Sequence, residues 1–437
     1  MDRNQSKHTC SHEPTVTHFG LLCPAASGHL NPMTTLGHVL QQRGHRVTLV
    51  GIADAEAKAR AAGLEFAAIG QANYPAGSTR TLFNHMGELS GPAAFRATVE
   101  YFRHSTAMVL REVPSVMRQL AVDALLIDQT SFGGATVAHA LDLPFVSVSC
   151  ALLLNSEPAV PPVNTGWSYN QATWARLRNR LGQRLLARLA SPITQVVADY
   201  RSQHQLPVLS NRAQGWSPLA QICQQPAAFE YPRYQLPAWF HFTGPLSDPL
   251  SRESVAFPWQ QLSGQPLVYA SLGTIQNQNL GLFAKIAAAC CHLDAQLVIA
   301  LGGGSTPDAL PPLPGSPLVV EVAPQLELLP RAALTITHAG LNTVLESLSC
   351  GVPMVAIPIA NDQPGVAARV AWSGSGAVVP LKKVSVSRLR SAIDRVWNDP
   401  SYRANAQRLQ QAIVAAGGVT RAADIVEQAI STGLPVL

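Results

Sequence analysis

The sequence predicts an α/β protein built from two doubly wound, parallel-sheet (Rossmann-like) domains that face each other across a cleft. Three observations predict it. Short apolar runs alternate with helix-period stretches along the 437-residue chain, the pattern of parallel sheets wound with right-handed crossovers. The alternation runs twice, broken by a proline-punctuated stretch at residues 226–258. The length is too great for one ordinary core and fits two domains of about 200 residues each.

In the first half, strands are expected at residues 18–23, 46–52, 65–69, 122–128 and 145–150. After the first strand, Asn31 reads as a helix cap with Pro32 at the first helical position, and Met33, Leu36 and Leu40 form an apolar stripe. Gly44 and Gly63 fall where helices should stop. The second half repeats the scheme, with strands expected at 267–271, 296–301, 318–322, 334–337, 354–358 and 377–380. Pro232, Pro237, Pro245 and Pro249 prevent long regular elements between the halves. The expected organisation is a first domain at 1–235, with 1–15 disordered, a join at 236–262, a second domain at 263–418 and a closing helix at 419–437. Gly302, Gly303 and Gly304 lack the third spaced glycine of a dinucleotide fingerprint and read as a turn.

Apolar residues make up 47% and charged residues 13% of the chain, ample material for large buried sheets. A net charge of +5 is mild for this length and gives no reason to expect nucleic acid as a partner. Seven cysteines, odd in number and without Cys-x-x-Cys spacing, read as reduced thiols of a cytoplasmic protein. The polar N-terminus is not a signal peptide, and no apolar run approaches the roughly 18 residues of a membrane span.

The strand expected at 334–337 runs into His338 and Gly340, and a helix opens with Asn342 and Thr343 in its first turn. Unpaired N–H groups and the positive helix pole suit a diphosphate there. Glu346 lies one turn further on the same face, placed to accept bonds from ribose hydroxyls. The next strand delivers Asp362 and Gln363, two groups able to bond a ring of sugar hydroxyls. Gly273 and Thr274, after the first strand of this half, border the same pocket. These residues together read as a sugar-nucleotide site.

In the first half, the switch point lies between the first and fourth strands, and ligands bind at such points. The first strand leads to His29 and the fourth ends at Asp128, so both arrive at one crevice. A histidine near its natural pKa suits removal of a hydroxyl proton, and a carboxylate on its other nitrogen fixes the tautomer. Taken singly, His29 reads as a helix-entry residue bonded to backbone and Asp128 as a strand-end cap. Their convergence opposite a donor pocket favours catalysis.

From His338 to Gln363 the spacing resembles the donor-binding signature of the family 1 UDP-dependent glycosyltransferases, and the run from Gly28 to Pro32 matches that family's histidine motif. The resemblance implies the GT-B fold, with the closing helix crossing back onto the first domain. It implies inverting transfer of a hexose, glucose from UDP-glucose, to an acceptor hydroxyl, with His29 as general base supported by Asp128. Gln325 and the backbone of Ala323 would read uracil and ribose. Plant members carry tryptophans at the positions of Val322 and Leu341, and neither is present here. UDP-sugar is then a co-substrate and no cofactor is expected. The chain has no Asp-x-Asp pair, so no metal is expected either.

Residues 127–131, 134–137 and 154–158 resemble the bacterial zeaxanthin glucosyltransferases. That implies a lipophilic hydroxylated acceptor, a carotenoid such as zeaxanthin, with flavonoids, other terpenoids and macrolides as alternatives. Trp174, Leu177, Leu181, Leu185 and Leu189 recur at helical spacing, with Arg176, Arg180, Arg184 and Arg188 alongside. Either the leucines pack on the domain with the arginines in water, or the helix makes peripheral contact with the inner face of an anionic membrane. Two other classes share the donor pocket: a sugar-nucleotide hydrolase or epimerase, and a non-catalytic nucleotide-sugar sensor. Release of UDP and free sugar without acceptor distinguishes the first, and the sensor has no reason to set His29 opposite Asp128.

Overall fold

Every expected strand forms, with its ends within three residues of the expected ones. The computed structural model describes residues 16–89, 91–275 and 279–437, so the expected disorder at 1–15 lies outside the described residues. The first sheet contains β1 (His18–Leu22), β2 (Arg46–Gly51), β3 (Glu65–Ala68), β4 (Ala124–Asp128), β5 (Phe145–Ser149), β6 (Gln221–Cys223) and β7 (Phe240–Phe242). The second contains β8 (Leu267–Ser271), β9 (Gln296–Ala300), β10 (Leu318–Val320), β11 (Ala332–Thr337), β12 (Met354–Ala356) and β13 (Gly376–Val378). Strand order is β3-β2-β1-β4-β5-β6-β7 in one and β10-β9-β8-β11-β12-β13 in the other, with parallel pairings. Winding therefore reverses between β1 and β4 and between β8 and β11. The β6 and β7 strands were not expected from the sequence. The second falls inside the stretch expected to be a join, which thus contributes an edge strand to the first sheet.

The helix after β1 spans Ser27–Gln42, with Ala26 as its extended cap residue and Pro32 inside it. Asn31 is therefore not the cap. Met33, Leu36 and Leu40 are fully buried, as their spacing requires. The helix stops at Gly44 (φ 92°), where the N–H of His45 closes back on the carbonyl of Leu40 at 3.2 Å. The last helix, Gly418–Thr432, lays Ala422, Ala423, Val426 and Ala429 into the core that holds Leu36 and Leu40. Alanines leave no side-chain bulk between the two helices, so their backbones approach closely.

The helix Thr173–Leu189 is seated with its apolar stripe outward. Trp174, Leu177, Leu181 and Leu185 are 60%, 56%, 55% and 59% exposed, whereas Ala175 and Asn179 are buried. Its inner face is small and polar: Asn179 Nδ2 donates to Pro158 O at 3.1 Å, and Gln183 Nε2 donates to Glu157 O and Val160 O at 2.9 and 3.0 Å. Those amides satisfy carbonyls of the loop beneath them and orient the helix. The leucines do not pack on the domain. Among the described residues no helix is long and apolar enough to cross a membrane.

A buried ion pair joins the halves. Arg369, on the helix Gln363–Trp372, donates to both oxygens of Glu230 at 2.9 and 2.6 Å, and lies over the ring of Tyr231.

Candidate active site

The helix Ser27–Gln42 carries His29 in its first turn, at the C-terminal end of β1, and the adjacent β4 ends at Asp128. His29 Nδ1 lies 2.9 Å from Asp128 Oδ2. The other carboxylate oxygen accepts from the backbone N–H of Thr130 at 2.7 Å and from its hydroxyl. Burial favours the neutral acid at Asp128, but the charge and bond of His29, with the Cys150 thiol and Thr130 hydroxyl as donors, hold its pKa below the usual value. Burial pulls His29 down, yet the charge and bond of Asp128, with Asp362 beyond, raise it above 6.5 overall. With Asp128 ionised, the bond places the ring proton on Nδ1 and leaves Nε2 to accept one.

The donor atoms of His29, Asp128 and Cys150 lie within 4.8 Å of one another. Such a trio can suit a metal; in the arrangement seen, burial and the neighbouring Asp128 push the Cys150 thiol well up and it donates to the carboxylate. Cys150 thus supports Asp128. It and Thr130 are functional residues that sequence reasoning missed; an Asp-x-Thr run at a strand end was the only available signal.

On the facing half, His338 follows β11 with its ring wedged between Gly273 and Gly340. A Cβ at either glycine would come within 2.6 or 2.5 Å of the imidazole, so no other residue fits. Burial drops the pKa of His338 to about 4, against a bond to the backbone of Ser271 that raises it, so the ring is neutral at neutral pH. The helix Leu341–Ser349 begins after Gly340, which has no side chain to cap it, so its first-turn N–H groups are open to an anion. Thr343 lies in that turn, with Gln325 Nε2 3.4 Å from its hydroxyl.

Five of the expected sugar-nucleotide groups, Glu346, Gln325, Asp362, Gln363 and Asn342, are already engaged. Glu346 accepts from Arg252 Nη2 at 2.8 Å through one oxygen and from Gln325 through the other. Gln325 is in turn oriented by the Tyr269 hydroxyl at 3.1 Å. Arg252 and Tyr269 carry no motif signal and were not anticipated. Asp362 Oδ2 accepts from the N–H of Leu152 at 3.1 Å, and burial raises its pKa. Gln363 Oε1 accepts from the N–H groups of Ile359 and Ala360 at 2.8 and 2.9 Å, so this oxygen caps its own loop. Asn342 reaches across to the first half, donating from Nδ2 to Gly28 O at 3.0 Å.

His29, Gly273, Thr274, Ala323, Gln325, His338, Gly340, Asn342, Thr343, Glu346, Asp362 and Gln363 all line one cleft of about 650 Å³, with Asp128 buried behind His29. On the His29 side the wall carries an apolar stretch, Phe83, Met86, Phe95, Tyr101, Phe102 and Leu154, beside the polar Asn31, Thr34, Lys58 and Thr98.

Two doubly wound parallel sheets with their switch points facing one cleft define the GT-B class of glycosyltransferase. The chain belongs to the family described as UDP-glucoronosyl and UDP-glucosyl transferase, which matches residues 21–413. It is 34% identical over 427 residues to the zeaxanthin glucosyltransferase of Pantoea ananas, covering 97% of this chain and 98% of that one. The zeaxanthin glucosyltransferase of Pseudescherichia vulneris is 33% identical over 420 residues, covering 95% and 98%. Among solved structures, the glycotransferase of kitacinnamycin shares the fold at TM-score 0.74 and 22% identity, covering 97% of this chain and 100% of that one. The protein is a UDP-glycosyltransferase.

With His29 raised above 6.5 by Asp128, kcat/KM should fall as the pH drops through a pKa above that value, because the protonated ring cannot act as base. In Asp128→Asn the acid limb should move to lower pH, since burial then dominates, and kcat should fall by about 10² to 10⁴. A limb that stays in place in that variant assigns it to another group.

Proposed function

We propose that the enzyme transfers glucose from UDP-glucose to a hydroxyl of a lipophilic acceptor, a hydroxylated carotenoid such as zeaxanthin, with inversion. The observation that carries the reading is His29, backed by a buried carboxylate, opening into the same cleft as the uncapped helix end at Gly340, with an apolar stretch of wall on its own side. His29 Nε2 takes the acceptor proton as the oxygen attacks the anomeric carbon from the face opposite UDP. Asp128 stabilises the imidazolium that forms. The helix N–H groups beyond Gly340 receive the charge developing on the departing diphosphate, with the neutral His338 ring beside them. The absence of an Asp-x-Asp pair from the sequence supports a metal-independent reaction. The full-length likeness to the zeaxanthin enzymes supports the acceptor class.

A polyene diol is almost insoluble in water, so its enzyme must take it from a membrane or a carrier. The outward stripe of Trp174, Leu177, Leu181, Leu185 and Leu189 is suited to the inner, cytoplasmic face of a membrane. Arg176, Arg180, Arg184 and Arg188 are exposed beside it, each contributing about 1 kcal/mol near anionic lipid. The loop leading to this helix also supplies Leu154 and Asn164 to the cleft wall, which supports acceptor entry from the side of the helix.

UDP-glucose and detergent-dispersed zeaxanthin, in excess EDTA, should yield zeaxanthin glucoside by mass spectrometry. No glucoside while soluble phenols react freely removes the carotenoid, and free glucose formed at the same rate without acceptor indicates a hydrolase. Separately, the enzyme should float with anionic vesicles at low salt. Replacing the four arginines by Gln should weaken that binding and leave turnover of a soluble phenol unchanged; no flotation of the native enzyme removes the membrane contact.

A further inference from the structure

Beside Glu346 the cleft carries a positive charge that the donor signature does not account for. Arg252 follows the short turn Pro249–Ser251, on the join between the halves. Its Nη2 donates to Glu346 Oε1 at 2.8 Å, and both residues line the cleft. The turn itself is fastened to the first half. Asp248 accepts from the N–H of Leu250 at 2.9 Å, and the Ser251 hydroxyl lies 2.6 Å from that of Thr35, on the helix that carries His29. Arg252 thus reaches from the base-bearing helix to the helix Leu341–Ser349 of the facing half.

The guanidinium is only partly used. A structural pair at such a place would set two arms of the fork on two carboxylate oxygens, as Arg369 does on Glu230. Here the second oxygen of Glu346 is taken by Gln325, which the Tyr269 hydroxyl orients. Among the described residues Glu346 is the one hydrogen-bond partner of Arg252, whose Nε is buried without any. The arginine side chain keeps 21% of its surface exposed, against 6% for Glu346, so its spare arm remains within reach of a ligand. Lys58, another cation lining the cleft, lies 3.9 Å from Glu253 instead.

A ribose hydroxyl is both a donor and an acceptor, whereas an ionised carboxylate only accepts. Glu346 can therefore satisfy the proton of such a hydroxyl but not its lone pairs. We propose that Arg252 is a nucleotide-binding residue supplied by the join, which with Glu346 brackets one ribose hydroxyl and selects ribose over deoxyribose. The hydroxyl donates to Glu346 and accepts from a spare N–H of Arg252. This rests on the reading of Glu346 as the ribose acceptor and adds the partner for the hydroxyl oxygen. With Val322 and Leu341 offering no ring to the base, the ribose carries a larger share of nucleotide recognition. The two charges also pair directly, as their 2.8 Å contact shows, so a deoxyribose strands neither of them. The discrimination is then a matter of lost bonds and is moderate.

The test is calorimetric, with UDP, 2′-deoxy-UDP and 3′-deoxy-UDP as probes. The native enzyme should bind UDP about ten-fold more tightly than the analogue lacking the bracketed hydroxyl, the scale of one hydrogen bond to a charged group. In Arg252→Gln that ratio should fall to about two-fold or less, with the analogue bound nearly as in the native enzyme. A native ratio in Arg252→Gln overturns the proposal however far affinity falls, since general damage to the pocket weakens all three nucleotides alike. Should loss of the charge facing Glu346 prevent that variant from folding, Arg252→Lys keeps the charge, lacks the fork and carries the same criterion. Glu346→Ala, measured alongside, isolates the reading beneath. If it keeps the native ratio, or the native enzyme shows none, the ribose assignment of Glu346 fails and the bracket falls with it.

Discussion

A buried ion pair sets the geometry on which the cleft depends. Arg369 and Glu230 are 1% and 2% exposed, and burial works against both charges. Their mutual attraction, with Arg233 on the same carboxylate, prevails: the pKa of Glu230 falls and that of Arg369 rises. Removing one partner of such a pair costs about 3–5 kcal/mol, because the other charge is stranded in a dry interior. Arg369 lies on the helix that follows Asp362 and Gln363, so the pair fastens the sugar side of the cleft to the first domain. Gly365, on the same helix, meets the carbonyl of Val163 with no room for a Cβ. The two switch points are therefore held face to face by a bidentate bond and a backbone contact, independently of any ligand.

Within that frame, two histidines are driven to opposite states. His29 has a carboxylate on one nitrogen and becomes more basic than free imidazole. His338 has two glycines for neighbours and burial as its largest influence, and its pKa drops to about 4. One is prepared to take a proton and the other to stay neutral. In the proposed reaction the first activates a hydroxyl on one side of the cleft, while the helix end beside the second receives the leaving diphosphate on the other.

Most strands were legible because their apolar runs exceed what a turn tolerates, even where only three residues pair, as in β10, β12 and β13. β6 and β7 were not, since their pairing is decided by neighbours, not by their own pattern. Pro32 misplaced the start of its helix by five residues: the rule that proline opens a helix assumes that the freed carbonyl has no other partner, and here Asn342 supplies one. The leucine stripe at Thr173–Leu189 showed which face is apolar but not which face turns inward; Asn179 and Gln183 decided that by bonding the loop below. The candidate site residues converge because a sheet's switch point gathers strand ends that are far apart in sequence. Their supports (Thr130, Cys150, Tyr269 and Arg252) were mostly illegible, because each acts through a tertiary approach that no local pattern encodes.

With His29 as the proposed base on one wall and the proposed diphosphate site on the opposite wall, only one line of attack on the sugar is open. The anomeric configuration of the product therefore tests this arrangement most directly. Proton NMR of the glucoside formed from UDP-α-glucose should show a β linkage, the outcome of one displacement from the His29 side. An α linkage would contradict it, since the acceptor would then have entered from the face that the diphosphate occupies.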